Sequence, residues 1–517
     1  MKILLVYMSG EQSRNDPYIS LVPTGLCYLH ACLIEAGYDC VLANFSGWSR
    51  ARIERELLRQ KPELIGISQW THNRHISLEL AARCRRLFPS SIIVMGGGHA
   101  TFCYEDILVD GSPVDVVIRG EAEQSLLELV GHLANGTDWR SCGGLAFRQD
   151  DAVTVNAPRM PISRLDDLPQ PARYFDRSIG LDIQLQPEFI VTARGCPSAC
   201  HFCSSPAFWG RKVRFRSPQN IVDEIQFVRR HYGLIYFSIR DDTFTADRNR
   251  AVEFCTLLIE QNANILWNCQ SRVNAIDEEL LVMMKRAGCE CIQLGVESGS
   301  PRILKQLGKT IDPAQIEQAC LQIRDIGINL SIYLISDVPG ETAEDLQQTV
   351  ELIRRIHPDD GYVSPLAFYP GTRLHSDAVL SGITSKDIFA ATDKNALYVS
   401  KQNGSSAKKL LSELSGSHLE DSGRFTRQKT RLGYCYTTNV LAGEWYRQRG
   451  KYKVAEKEFM EITVRQPENP WGWFLLGELC QETGDVDRAL DCFRAVIKLV
   501  PKHAQTLQQL RHKKTGP

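Results

Sequence analysis

The sequence predicts an α/β chain in three parts: a doubly wound parallel sheet, a six-unit βα series forming a partial barrel, and an all-α repeat segment. Three observations carry this. Short apolar runs alternate with amphipathic stretches through residues 1–135. The alternation resumes near residue 186, after a gap marked by Pro158, Pro161, Pro169 and Pro171. From residue 436 the pattern turns wholly helical and repeats at a fixed offset.

In the first part, residues 3–6, 40–43, 64–68, 92–95 and 114–118 read as strands. Residues 24–36, 77–88 and 121–133 read as helices, the first stopped by Gly37. This domain is expected over 1–142. A hairpin (145–148 and 153–155) and a linker follow over 143–185. The barrel is expected over 186–400, with strands at 188–192, 235–239, 265–269, 291–296, 329–335 and 362–366. Ser217-Pro218 forms an N-cap and first-turn pair for the helix that follows. Residues 401–435 are polar without clear periodicity and read as a linker or extension. Over 436–512, Gly443 matches Gly477, Gly450 matches Gly484, Ala455 matches Ala489, Phe459 matches Phe493 and Pro467 matches Pro501. The spacing is that of a tetratricopeptide repeat pair.

A chain of 517 residues is too long for one core, in line with roughly three domains. The formal net charge of −1 gives no reason to expect a nucleic-acid partner. No apolar run approaches the ~20 residues of a membrane span, and the N-terminal run is too short for a signal segment. The expected location is the cytoplasm. In a reducing compartment most of the 17 cysteines are small buried hydrophobes.

Cys196, Cys200 and Cys203 stand apart, in a CxxxCxxC loop directly after an expected strand. Three thiolates on one loop can each hold one iron of a cubane and leave the fourth iron open. Buried thiols, or a zinc site that includes His201, are the alternative readings of the spacing. The loop's place after the first strand of a βα series puts it at the top of a barrel. With Phe202 before the last cysteine, the loop resembles the signature of the radical S-adenosylmethionine (SAM) superfamily. That resemblance implies a [4Fe–4S] cluster whose open iron binds SAM and cleaves it to a 5′-deoxyadenosyl radical.

Further motifs follow in order: Arg240-Asp241-Asp242-Thr243-Phe244, Gly295-Val296-Glu297-Ser298-Gly299, Asp337-Val338-Pro339-Gly340-Glu341-Thr342 and Tyr369-Pro370-Gly371-Thr372. Each is also ordinary turn or helix-start chemistry. Their order resembles the radical SAM branch that contains the anaerobic magnesium-protoporphyrin cyclase and many cobalamin-dependent enzymes. By that resemblance Glu297 is the foremost SAM contact, with Phe202, Asp241 and Gly340 beside it.

The same branch carries a doubly wound cobalamin-binding domain ahead of the barrel. Matching pieces here are Pro23-Thr24-Gly25-Leu26, Ser68-Gln69-Trp70-Thr71, Gly96-Gly97-Gly98-His99 and Gly120-Glu121-Ala122-Glu123. The last three close βα units and fall on one sheet edge. The resemblance assigns cobalamin contacts to Thr24, Gly25, Ser68, Thr71, Gly97, Gly98, His99, Gly120 and Glu121. The Asp-x-His-x-x-Gly that supplies a cobalt-ligating histidine is absent, so cobalt is expected to lack that ligand. His99 reads either as a residue near the corrin or as a helix-capping polar residue.

The expected function is a cobalamin-dependent radical SAM enzyme that methylates an unactivated carbon. Radical cyclisation or oxidation without methyl transfer is a second reading. A tetratricopeptide partner-binding protein with a degenerate catalytic unit is a third. An electron donor such as flavodoxin or ferredoxin is implied, and the repeats offer a site for a protein or peptide partner. Arg211, Lys212, Arg214 and Arg216 read as contacts for an anionic substrate or as a solvated run. Two repeats alone cannot bury their faces, so they need the 401–430 segment, the barrel or another chain. Trp445 and Trp471 are expected on their exposed face, Tyr446 and Trp473 in the helix–helix core, and deletion of 436–517 is expected to leave the cluster near normal. Alanine at Cys196, Cys200 or Cys203 is expected to abolish 5′-deoxyadenosine formation, measured by chromatography under anaerobic conditions. Alanine at Cys27, Cys84 or Cys320 should leave iron content unchanged.

Overall fold

The computed structural model describes residues 1–10, 20–391, 394–400, 404–416 and 420–512. They form two compact units that interleave along the chain. The first comprises Met1–Gln186, Arg194–Phe215 and Leu366–Lys401. The second comprises Pro187–Ala193, Arg216–Pro365 and Gln402–Pro517. The cysteine loop therefore folds with the first unit, on the other side of the boundary expected at 186.

The first unit is built on strands β1 (Lys2–Tyr7), β2 (Asp39–Asn44), β3 (Leu64–Ser68), β4 (Ile92–Gly96), β5 (Val116–Ile118), β6 (Leu145–Gln149), β7 (Ala152–Val155) and β8 (Ser178–Ile179). Their order is β7-β6-β5-β4-β3-β1-β2-β8. β1 to β5 pair in parallel, and the expected hairpin β6–β7 extends the sheet antiparallel. β1, β3 and β5 are almost wholly buried, as a sheet covered by helices on both faces requires. The order reverses between β1 and β3, so the loops after these strands flank the crevice where such sheets hold ligands.

The second unit holds β9 (Phe189–Ile190), followed after the short β10 (Ala193–Arg194) and β11 (Arg214–Phe215) pair by β12 (Tyr236–Ile239), β13 (Leu266–Ser271), β14 (Cys289–Glu297), β15 (Asn329–Ser336) and β16 (Asp360–Pro365). β9 and β12 to β16 make one six-stranded parallel sheet in chain order. Helices occupy the crossovers with the expected punctuation. Ser217 accepts from the Asn220 amide to cap Pro218–Tyr232, and Asp312 with Gln315 closes a capping box ahead of Pro313–Ile326.

The repeats pack as their 34-residue offset predicts. Gly443 lies against the Phe459 ring and Gly477 against Phe493, where a Cβ on Gly477 would come within 2.7 Å of that ring. Part of their remaining surface is covered within the same unit. Residues 404–416 and 420–432, in the stretch read as a linker or extension, are largely helical, Ser405–Gly416 and Gly423–Leu432. Phe425 of the second helix packs with Trp445 and Tyr446, so Trp445 is buried rather than displayed. The repeats also cap the N-terminal ends of the barrel strands. The Tyr436 hydroxyl donates to the Ile265 carbonyl at 2.6 Å, and Leu266 joins the core of the repeats. Gly288, at φ +96°, sits against Ile265 and Tyr436, leaving no room for a side chain.

This seam supplies the further surface that two repeats need, and it makes loss of the repeats a cost to the barrel itself. Removing 436–517 uncovers Leu266, Cys435 and the Gly288 turn, and a fold so truncated should aggregate on expression, as size-exclusion chromatography would show. The milder Gly288→Ala should lower the thermal midpoint by several degrees, since it adds a clash to a positive φ.

Candidate cluster and cofactor sites

The cysteine loop is held at its base by β10 and β11. Gly195 has φ +108°, and a Cβ there would lie 2.6 Å from the Lys212 carbonyl, so only glycine fits before Cys196. The Cys196 amide donates to the Gly210 carbonyl at 3.3 Å, and the Cys203 amide to the Cys200 carbonyl at 3.4 Å. These three thiols and Cys291 are partly exposed, and the other thirteen are buried. Burial pushes the Cys84 and Cys320 thiols up to about 12, which suits them to packing and not to metal ligation. Three accessible thiols on one short loop fit a [4Fe–4S] cluster with one open iron.

Two arginines flank the loop and are buried in ion pairs with the Gly120-Glu121-Ala122-Glu123 turn. Arg194 meets Glu123 at 2.6 Å and Glu121 at 3.3 Å, with its guanidinium 5.1 Å from the ring centroids of both Tyr28 and Trp209. Arg214 pairs with Glu121 and donates to the Ile162 carbonyl at 2.7 Å and the Trp209 carbonyl at 3.2 Å. Glu121 also accepts from the Ile162 amide at 3.1 Å. Its carboxylate thus takes part in the loop's mounting. Arg214 and Arg216 leave the candidate substrate patch. Arg216 is buried against Glu224 at 2.6 Å and the Val191 carbonyl at 3.1 Å. Sequence reasoning missed Arg194 and Glu123. The available signal was an acid pair in one motif and an arginine two residues before the first cysteine.

At the strand ends of the first sheet, Ser68 and Thr71 are buried, and the Thr71 hydroxyl lies 3.1 Å from His99 Nδ1. His99 is 4% exposed, edge-on to Phe389 at 5.6 Å, and burial pulls it down to about 3, with Arg74 and His75 adding to the effect. The Gly97 φ of +105° answers to the protein's own backbone, since a Cβ would lie 2.6 Å from the Gln69 carbonyl. Gly98 supports the half-exposed Trp70 ring in the same way. Gly25 and Gly120 differ, for a Cβ on either would meet nothing within 4 Å. With Thr24 beside Gly25, these positions leave the open space that a bulky planar cofactor needs. Residues 366–391 lie along this edge: Arg74 donates to the Phe389 carbonyl at 2.8 Å, and the Leu374 amide to the His201 carbonyl at 2.8 Å.

In the second unit, Asp241 ends β12 fully buried. Its Oδ1 accepts from the Thr192 and Ala193 amides at 2.6 and 2.9 Å, and its Oδ2 from the Thr192 hydroxyl. It locks the end of β9 through these bonds. Glu297 lies at a register shift where β14 ends, at φ +66°, and pairs with Lys309 at 2.9 Å. A bulge of this kind re-aims a side chain. Gly340 is exposed, with its carbonyl accepting from Arg302 at 2.7 Å. Asp337 ends β15 at φ +59°, with Oδ1 buried and unpartnered, and nearby Glu341 is raised to about 7 by burial and then by the charges of Asp337 and Asp345.

Comparison with known proteins agrees with this architecture. Residues 18–130 match the B12 binding domain, 190–353 the radical SAM superfamily and 470–503 the tetratricopeptide repeat. A Pyrococcus horikoshii protein described as an uncharacterized methyltransferase is 28% identical over 74% of this chain and 84% of its own length. The anaerobic magnesium-protoporphyrin IX monomethyl ester cyclase of Rubrivivax gelatinosus is 28% identical over 69% of this chain, which spans about two thirds, 66%, of that relative. The structure of the radical SAM methyltransferase TsrM from Kitasatospora setae, with cobalamin and a [4Fe–4S] cluster bound, superposes with a TM-score of 0.65 at 15% identity, covering 90% of this chain and all of that one. The chain is a radical SAM enzyme with a B12-binding domain and C-terminal tetratricopeptide repeats, and its cofactors are a [4Fe–4S] cluster, SAM and cobalamin.

The buried pairs generate a stability prediction. Glu123→Gln leaves Arg194, 3% exposed in its side chain, short of a charge partner, a change that costs about 3–5 kcal/mol when a buried pair is broken. Differential scanning calorimetry should show a lower midpoint, and anaerobic reconstitution should return less iron per chain.

Proposed function

We propose that this enzyme methylates an unactivated carbon of its substrate, using SAM as the source of both the radical and the methyl group. The observation that carries the reading is the mounting of the cysteine loop: the loop and the cobalamin-type sheet fold as one unit, joined through Arg194, Arg214 and the Glu121/Glu123 turn. When bound, the cluster and SAM supply a 5′-deoxyadenosyl radical, and cobalamin carries the methyl group. Cys196, Cys200 and Cys203 hold the cluster. This reading assigns the SAM contact to Glu297, which is buried and paired with Lys309. Gly25 and Gly120 give the corrin its room, and Trp70 offers an aromatic face.

His99 stays out of cobalt ligation in this reading, because it is buried with Nδ1 on Thr71. The repeats recruit a protein or peptide partner through the surface left after packing on the barrel. A flavodoxin or ferredoxin supplies electrons. The enzyme works in the cytoplasm, where the cluster-ligating thiols stay reduced. The cyclase relative favours a second reading, ring formation without methyl transfer.

Mass spectrometry after anaerobic incubation with SAM, cobalamin, reductant and cell extract separates the two. A product heavier by one CH₂ unit supports methylation, and a product lighter by hydrogen supports cyclisation. The paramagnetic resonance spectrum of the cob(II)alamin form should lack axial nitrogen superhyperfine splitting and be unchanged in His99→Ala. A nitrogen triplet lost in that variant would reassign His99 as the cobalt ligand.

A further inference from the structure

The two faces of the barrel sheet differ in chemistry. One face carries Phe237, Ile239, Trp267, Cys269, Ile292, Leu294, Leu330 and Ile332, all buried. The other follows from strand alternation and register. Ser238 pairs with Asn268, Asn268 with Cys291, and Cys291 with Asn329. One step up, Gln270 pairs with Gln293 and Gln293 with Ser331. Above these, Gly295 pairs with Tyr333 and Tyr333 with Tyr362. Closed barrels fill this interior with layers of branched apolar side chains. Here the rows are amides, hydroxyls and phenols, and Asn268, Gln270, Gln293 and Tyr333 are only half-buried.

The lower row is satisfied by its own members. The Tyr236 hydroxyl donates to Glu290 at 2.7 Å, Asn268 donates to Tyr236 at 2.7 Å and Asn329 to Glu290 at 3.2 Å, while Ser238 donates to Asn268 at 2.9 Å. This floor rests on the repeats, whose core takes in Leu266 and Tyr236. The middle row is satisfied only in part. Tyr333 donates to Gln293 Oε1 at 3.0 Å and also hydrogen-bonds the Gln270 side chain. Ser331 Oγ, 1% exposed, has no partner among the described residues. A buried hydroxyl without a partner costs about 1–3 kcal/mol, so the row is made to be completed from outside.

Charge on this face is already balanced. Both Glu290 oxygens accept from neighbours, Arg240 lies over the Phe189 ring at 4.8 Å with its charge beside the Glu188 carboxyl, and Glu297 is paired with Lys309. Strand spacing sets neighbouring groups in this row, Gln270 and Gln293, then Gln293 and Ser331, about 5 Å apart. We infer that this face binds a polar, uncharged substrate that presents amide or hydroxyl groups to Gln270, Gln293 and Ser331, and stacks against Tyr333 and Tyr362, whose rings lie 5.2 Å apart. A hydrocarbon or tetrapyrrole would leave these groups buried and unpaired, and specificity of that kind is large. The inference deepens the proposed methyl transfer and rests on it for the word substrate.

Two experiments on the full chain test it. In the first, anaerobically reconstituted enzyme with methyl-labelled SAM and cobalamin receives cell extract divided into chloroform-soluble and aqueous fractions. Label still on unreacted SAM, or on the methionine that its cleavage releases, is first identified by chromatography against standards and set aside. The remaining label is expected in aqueous compounds that pass both anion and cation exchangers at neutral pH. Remaining label in the chloroform fraction, or retained on either exchanger, overturns the inference. If no label remains, methyl transfer itself fails, and the second experiment decides the pocket alone. It measures protoporphyrin IX binding by fluorescence quenching, with no turnover. The Gln270→Leu/Gln293→Leu variant, checked for iron content and near-ultraviolet circular dichroism, should bind at least about tenfold tighter than wild type. Equal or tighter binding by the wild type overturns the inference.

Discussion

The structure depends on a pair of buried arginines. Arg194 and Arg214 bracket the cysteine loop in sequence, and both end on the carboxylates of one turn of the cobalamin-type sheet. A guanidinium removed from water is costly to bury, and here each is repaid by carboxylates, carbonyls and aromatic faces. The charges bring together segments 71 to 93 residues apart in the chain and tie the cysteine loop to the first unit. Fork-shaped donors fix orientation as well as proximity, so the loop is mounted rigidly on the sheet.

The second unit solves a different problem. Its sheet is apolar on the face toward the helices and polar on the other, so it cannot close on itself with a dry interior. The repeats supply the missing floor, with Tyr436 and Leu266 meeting where the strands begin. Two repeats are fewer than such arrays normally need, and the barrel serves as the neighbour that a third repeat would provide.

Strain gathers where the strands end. Glu297 and Asp337 both adopt the left-handed region that favours glycine, at the C-terminal ends of β14 and β15. Each costs of order 1–3 kcal/mol. The Lys309 ion pair and the Ser336 hydroxyl, 2.8 Å from Asp337, hold them there. An unpartnered Asp337 oxygen beside a carboxyl raised to about 7 marks this rim as electrostatically poised.

Periodicity and spacing alone determined much of this protein. The run of parallel strands, the caps at Ser217 and Asp312, the 34-residue repeat and the CxxxCxxC loop all rest on local rules, and local rules act on neighbours in the chain. The helices at 405–416 and 423–432 escaped because their apolar faces make sense only against the barrel and Trp445. Glu121, Asp241 and His99 were legible as polar residues at strand ends. Which of them faces a ligand was not, since their partners Arg214, Thr192 and Thr71 come from other segments or stand where only the backbone path brings them near. The tertiary structure alone decided these roles, because a buried charge or hydrogen bond is satisfied by whatever the fold places beside it, and sequence distance carries no information about that.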